Sequence, residues 1–264
     1  MKLLICGKGG SGKSTLASLL SKNLQTKGYR VIVVDTDESN YGLSAQLGLK
    51  DPLELMEQIG GKKAVFQRMW AKRSEGEKEP LFTETWRIDD IPPDYVSQNG
   101  KGLYLLQIGK VKHFGEGCAC PMGGLSREFL SHLQLGPKDV AIIDTEAGVE
   151  HLGRGVAGSV DLVLAVLDPS YESIKLSQKI TDMAKEAAKS VYFILNKVPD
   201  ALADKLVNSV GKERVIGILP YNQSILENGL TGTALDLTLP SIEAVTSFVL
   251  EQSQATQKAG DANE

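Results

Sequence analysis

The chain has 264 residues, 42% hydrophobic and 23% charged, an ordinary globular balance with length enough for one sizeable core. Its formal charge is −4, and no run of Lys and Arg is long enough to act as a footprint for nucleic acid, so small ligands and proteins are the expected partners. Three cysteines exclude a disulfide framework and no apolar stretch approaches membrane-spanning length, while "MKLLICGKGG" is too short for a signal peptide; a cytoplasmic protein with reduced thiols and no membrane partner is expected.

Seven short apolar runs read as strands buried on both faces: "KLLICG", "RVIVVDTD", "GLYLLQIG", "DVAIIDTE", "DLVLAVLD", "SVYFILNK" and "RVIGILPY". Most are followed by helical patterns, clearest in "KSTLASLLSKNLQTKG", closed by Gly28, and in "ESIKLSQKITDMAKEAAK". An α/β fold is predicted, with a mostly parallel β-sheet flanked by helices on both faces. One domain is expected over 1–252. The chain turns charged and irregular at about 60–102, with two Trp amid "KRSEGEKEP" and "DDIPPD", which reads as an insertion or lid over the sheet edge. Residues 253–264 read as a disordered tail.

Gly7 to Ser14 spell "GKGGSGKS", which satisfies G-x-x-x-x-G-K-[ST] between a strand and a helix, the context of a P-loop NTPase. Backbone N–H groups across Gly7, Lys8, Gly9, Gly10, Ser11 and Gly12, with Thr15 in the opening turn of the helix, form an anion cradle. Lys13 is expected on the β- and γ-phosphates and the Ser14 hydroxyl on Mg²⁺.

The second lysine of the loop, Lys8, makes "GKGGxGK", which resembles the deviant loop of the MinD-type ATPases. The resemblance implies a homodimer in which Lys8 reaches the nucleotide of the other subunit. Two further segments resemble that family in the same order. "DTDESN" implies Asp37 in switch I, orienting or deprotonating the attacking water, with Asp35 and Asn40 in support. "DTEAGVEHLGRG" implies Asp144 as the Walker B carboxylate on Mg²⁺ and Gly148 as the switch II glycine beside the γ-phosphate. Aspartates at strand ends also cap helices, so both assignments depend on the loop upstream.

Base choice follows from what "NKVPD" lacks. Asn196 and Lys197 begin a guanine-type N-K-x-D, but Pro199 stands where its aspartate would be, so no carboxylate meets the guanine N1 and N2 hydrogens. ATP is expected, with Asn196 able to meet the adenine edge, and the resemblance to the MinD-type family implies that "LPYN", with Pro220 and Tyr221, is the other adenine-side loop.

Cys118 and Cys120 sit one residue apart in the glycine-rich stretch "FGEGCACPMGG". Two thiolates supply half of a tetrahedral metal site, and a two-fold axis at this loop would supply the other half. Metal binding (Ni²⁺ or Zn²⁺), a redox dithiol and buried filler remain open for the pair. His113 is close in sequence but is not expected as a ligand, and Cys6 reads as a small core residue. Together the deviant loop, the C-x-C and "EAGVEHLGRG" resemble the CooC family, ATP-dependent accessory proteins for nickel insertion into carbon monoxide dehydrogenase, and relatives serving acetyl-CoA synthase. That resemblance implies an ATP- and metal-promoted homodimer with such a client enzyme. Two alternatives are a nitrogenase-reductase-like iron–sulfur ATPase, which would have a second cysteine after switch II, and a MinD- or ParA-type positioning ATPase, which would have a basic membrane or DNA surface.

Overall fold

The computed structural model of the protein describes residues 1–70, 80–112, 120–148 and 156–261. Eight strands among them form one sheet: β1 (Lys2–Gly7), β2 (Arg30–Asp35), β3 (Ser97–Gln98), β4 (Leu103–Gln107), β5 (Asp139–Asp144), β6 (Leu162–Leu167), β7 (Ser190–Asn196) and β8 (Val215–Leu219). The helices are α1 (Lys13–Thr26), α2 (Leu43–Leu47), α3 (Leu55–Gln58), α4 (Gly61–Trp70), α5 (Cys120–His132), α6 (Tyr171–Glu186), α7 (Asp200–Val210), α8 (Gln223–Thr231) and α9 (Pro240–Asp261).

Across the sheet the order is β3-β4-β2-β5-β1-β6-β7-β8. Every neighbouring pair is parallel except β3 with β4 at the edge. All seven apolar runs are strands, and only the two-residue β3, too short and polar to leave a pattern, is absent from them. The period of two splits each strand between two cores. Leu4 and Cys6 of β1 face one side, where Leu55, Val65, Phe129, Ile180 and Leu206 bring in α3 to α7. Leu3 and Ile5 face the other, where Leu16, Leu20 and Leu24 of α1, Leu43 of α2, and Val245 and Val249 of α9 pack. Helices thus cover both faces, the arrangement that lets parallel strands be apolar throughout. Burial pushes the Cys6 thiol up to about 12, as suits an inert core residue.

The described part of 60–102 is packed more regularly than its composition suggests. Phe82, Ile88 and Ile91 are buried, and Trp86 meets Phe82 edge-on at 5.2 Å and Phe129 of α5 at 6.3 Å. The backbone joins in, with Trp86 N–H donating to His132 O at 2.9 Å and Gln134 N–H to Trp86 O at 2.7 Å. α9 spans Pro240–Asp261, and its apolar face packs along α1 and β8 as far as the buried Ser253.

β1 is the point where the chain order changes direction: β2 and β5 lie to one side of it and β6 to β8 to the other. In open α/β sheets the crevice beyond the carboxyl ends of such strands receives the ligand. The loop after β1 opens there.

Candidate active site

Two glycines let the loop after β1 turn closely enough to form a cradle. Gly7 has φ +144°, and a Cβ there would stand 2.4 Å from the Val166 carbonyl oxygen of β6. Gly12, at φ +102°, leaves 2.2 Å for a Cβ below Asn196 Nδ2. Only glycine satisfies both the dihedral and the approach. Gly12 is also the N-cap of α1, and no side chain caps it, so the first-turn amides and the positive end of a 14-residue helix remain for an anion. Lys13 is buried, with Nζ donating to the Lys8 carbonyl at 3.4 Å. Gly148 N–H donates to Gly7 O at 3.0 Å, which brings Gly148 against the start of the cradle.

At the end of β5, Asp144 is fully buried. Its Oδ2 accepts the Ser14 hydroxyl at 2.6 Å and the Asn40 amide at 3.3 Å, and Asn40 Nδ2 also donates to Ser14 Oγ at 2.8 Å. Burial pushes its carboxyl up to about 6 against the pull of Ser14 and Lys13. Asp144 Oδ1, in contrast, is a buried oxygen without a hydrogen-bond partner. An orphaned carboxylate oxygen beside a P-loop hydroxyl is a donor set suited to a hard divalent cation such as Mg²⁺. The expected pair of metal ligands, Ser14 and Asp144, is therefore brought together, with Asn40 bridging them.

The end of β2 and the loop after it carry the other carboxylates. Asp37 lines the main cavity, its Oδ1 accepting Ser39 N–H at 2.9 Å and Ser39 Oγ at 2.7 Å. Asp35 is wholly buried one strand from Asp144 and pairs with Lys110 Nζ at 2.6 Å. Burial pushes Asp35 up to about 7 against that pull, with the Asp144 carboxylate adding to the rise. Lys110 has no motif to announce it, lying 75 residues from Asp35 in sequence.

Lys8 is engaged within its own subunit. Its Nζ lies 3.1 Å from Asp168 Oδ2 and 3.5 Å from Glu172 Oε2, and it donates to Ser170 Oγ at 3.3 Å. Burial acts to raise the Asp168 carboxyl, but bonds from Ser170, Ser173 and Lys8 hold it below the usual carboxylate range. Lys8 faces a cleft of about 390 Å³ with Glu172, Lys175 and Lys179, and this cleft shares Gly9 and Ala147 with the main cavity. The acidic partners of this lysine at the start of α6 are a second feature that no motif signals.

The main cavity, about 670 Å³, runs from Gly9, Gly10, Gly12, Lys13, Ser14 and Thr15 past Asn196 and Lys197 to Pro220 and Tyr221. Ile225, Leu226 and Leu230 of α8 add an apolar wall, which the sequence reading lacks. Asn196 and Lys197 also brace the loop itself. Asn196 Nδ2 donates to Ser11 O at 2.7 Å and Lys197 Nζ to Gly10 O at 2.9 Å. Cys120 is the first residue of α5, followed by Pro121, which suits a helix start. Cys118, His113 and the segment 149–155 lie outside the described residues. Among the described residues no three His, Cys, Asp or Glu side chains converge as a metal cluster, and no helix is long and apolar enough to cross a membrane.

Residues 3–235 match the CobQ/CobB/MinD/ParA nucleotide binding domain. An uncharacterized ATP-binding protein of Methanocaldococcus jannaschii is 45% identical over 249 residues, covering 94% of this chain and 99% of its own. The carbon monoxide dehydrogenase accessory protein CooC of Rhodospirillum rubrum is 31% identical over 232 residues, 85% of each chain. Among solved structures, the septum site-determining protein MinD of Pyrococcus horikoshii, complexed with Mg-ADP, superimposes with a TM-score of 0.66 over 100% of this chain and 98% of its own, at 18% identity, a likeness of fold. With the loop, its carboxylates and the sheet order in agreement, the chain belongs to the CobQ/CobB/MinD/ParA nucleotide binding domain family and is a P-loop ATPase.

Proposed function

We propose that this ATPase is a homodimeric, cytoplasmic metallochaperone that assists nickel insertion into carbon monoxide dehydrogenase or a related acetyl-CoA synthase. The observation that carries the reading is the 31% identity, across 85% of each chain, to a protein named as a carbon monoxide dehydrogenase accessory protein. The C-x-C pair adds chemistry to it. Cys118 and Cys120 from each of two subunits make a four-thiolate site for Ni²⁺ or Zn²⁺ at the two-fold axis. Softness alone does not select between these metals, so geometry and supply decide.

In the ATP cycle the amides of Gly9 to Gly12 and the N-terminus of α1 bind phosphate oxygens, and Lys13 exchanges the Lys8 carbonyl for the β- and γ-phosphates. Ser14 and Asp144 would hold Mg²⁺, which when bound neutralises charge on the phosphate oxygens. Asp37 orients the attacking water and Gly148 follows the γ-phosphate. Asn196, Lys197, Pro220 and Tyr221 enclose the adenine side. Lys8 leaves Asp168 for the nucleotide of the second subunit.

Size-exclusion chromatography with and without Mg-ATP and Ni²⁺, reading metal per chain across the dimer peak, tests the reading. One metal per dimer, abolished by Cys118→Ala with Cys120→Ala while ATP still binds, is expected. Unchanged metal content in that variant would remove the site, and strong turnover driven by DNA or lipid vesicles would replace the chaperone with a positioning ATPase.

A further inference from the structure

One buried ion pair holds the backbone of Asp37 at both of its polar groups. Asp35 Oδ1 accepts the Asp37 N–H at 3.1 Å, while Asp35 Oδ2 accepts Lys110 Nζ at 2.6 Å. The same Lys110 Nζ donates to the Asp37 carbonyl at 2.6 Å. These contacts close a ring around a single residue of the loop. The ring is nearly dry, with the Lys110 side chain 4% exposed and that of Asp35 not at all. Taking both charges out of water is unfavourable unless the geometry is tight, and an apolar pair would serve packing alone at least as well.

Lys110 is itself held firmly. β2 and β4 are register partners through Asp35 and Gln107, and the chains remain joined beyond the strands. Ile108 N–H donates to Asp35 O at 2.9 Å and Val111 N–H to Glu38 O at 3.2 Å. Lys110 N–H donates to Glu54 Oε2 at 3.0 Å, and the Tyr41 hydroxyl donates to Val111 O at 2.5 Å. The loop after β2 is thus laced to residues 108–111 along its length. Ser39 fixes the other end of Asp37 through its carboxylate.

We infer that Lys110 is a positioning residue for ATP hydrolysis: with Asp35 it clamps the main chain of Asp37 so that the carboxylate is aimed at the attacking water. The inference rests on the assignment of Asp37 to water orientation. Among the described residues Lys110 donates to Glu54, Asp35 and Asp37 and not to the phosphate loop, so its role separates turnover from nucleotide binding. Displacement of a reacting group by about 1 Å lowers rate on the order of 100-fold.

The test is Mg-ATP hydrolysis by the full chain, with nucleotide affinity read from titration of a fluorescent ATP analogue. For Lys110→Met, kcat is expected to fall on the order of 100-fold with KM and affinity within about threefold, and Lys110→Arg to recover about tenfold of the loss. If Lys110→Met does not fold, the double variant Asp35→Asn with Lys110→Met, which buries no lone charge, is expected to show the same split. A kcat within about threefold of wild type in a folded variant overturns the inference, as does a parallel loss of affinity, or failure of both variants to fold. Asp37→Asn is measured beside them. If it is inactive while Lys110→Met is fully active, only the role of Lys110 falls; if it hydrolyses at the wild-type rate, the assignment of Asp37 falls first.

Discussion

Gly12 lies directly beneath the carboxamide of Asn196, so that a Cβ on Gly12 would stand 2.2 Å from Nδ2. The phosphate loop and the end of β7 are therefore fitted to each other, and Gly12→Ala disturbs both. The substitution is expected to lower stability by about 1–2 kcal/mol through left-handed strain alone and to reduce nucleotide affinity on the order of tenfold or more. Adding Asn196→Ala relieves the clash but not the strain, and part of the affinity should return. Wild-type affinity in the single variant would show that the loop moves freely against β7.

Asp144→Asn is expected to abolish Mg²⁺-dependent hydrolysis while raising the thermal stability of the nucleotide-free protein. The sign follows from the carboxyl being pushed up to about 6 by burial. A raised folded value contributes stability below the unfolded value near 3.8, and that stability is lost as pH climbs through about 6. The lost contribution is on the order of 3 kcal/mol at neutral pH. Melting curves of the two proteins should therefore coincide toward pH 4, diverge as pH rises from about 4 to about 6, and stay apart above it. Divergence in the opposite direction would place the proton elsewhere. Mg²⁺ affinity of the wild type, which needs the ionised carboxylate, should rise through the same window.

Lys8→Ala removes a cation held at 3.1 Å by Asp168 of its own subunit. Turnover and ATP-driven dimerisation are expected to collapse while monomer ATP affinity changes by no more than about threefold. Light scattering across an ATP titration reads the dimer; a variant that dimerises and hydrolyses normally would confine this lysine to the intramolecular pair.

Phe129 anchors α5 by meeting Phe82 at 6.0 Å and Trp86 at 6.3 Å. Phe129→Ala is expected to cost about 3–5 kcal/mol in chemical denaturation and to loosen the helix that begins at Cys120. A loss below about 1 kcal/mol would mean that the segment around Trp86 closes over the cavity.

Much of this was legible in order along the chain because it is local. The cradle needs consecutive residues, and strands buried on both faces announce themselves as apolar runs, so β1, β2 and β4 to β8 could be read. The Lys110–Asp35 pair and the Lys8–Asp168 pair could not, since their members are brought together by sheet order rather than by spacing. The α8 wall was missed for a related reason: Leu226 and Leu230 are exposed apolar residues without a core partner to give them a pattern. Trp86 read as irregular because it packs from a stretch outside any helix or strand, against Phe82 of the same stretch and Phe129 of α5.

Asp35 and Asp144 are opposite each other in the ladder between β2 and β5. Two buried carboxylates are thus kept adjacent by backbone pairing alone. A slip of one residue between these strands would shift one carboxylate by about 3.3 Å and turn it to the opposite face of the sheet. The sheet therefore works as a ruler for charge, and the chemistry of this crevice is more sensitive to strand alignment than to any helix that covers it.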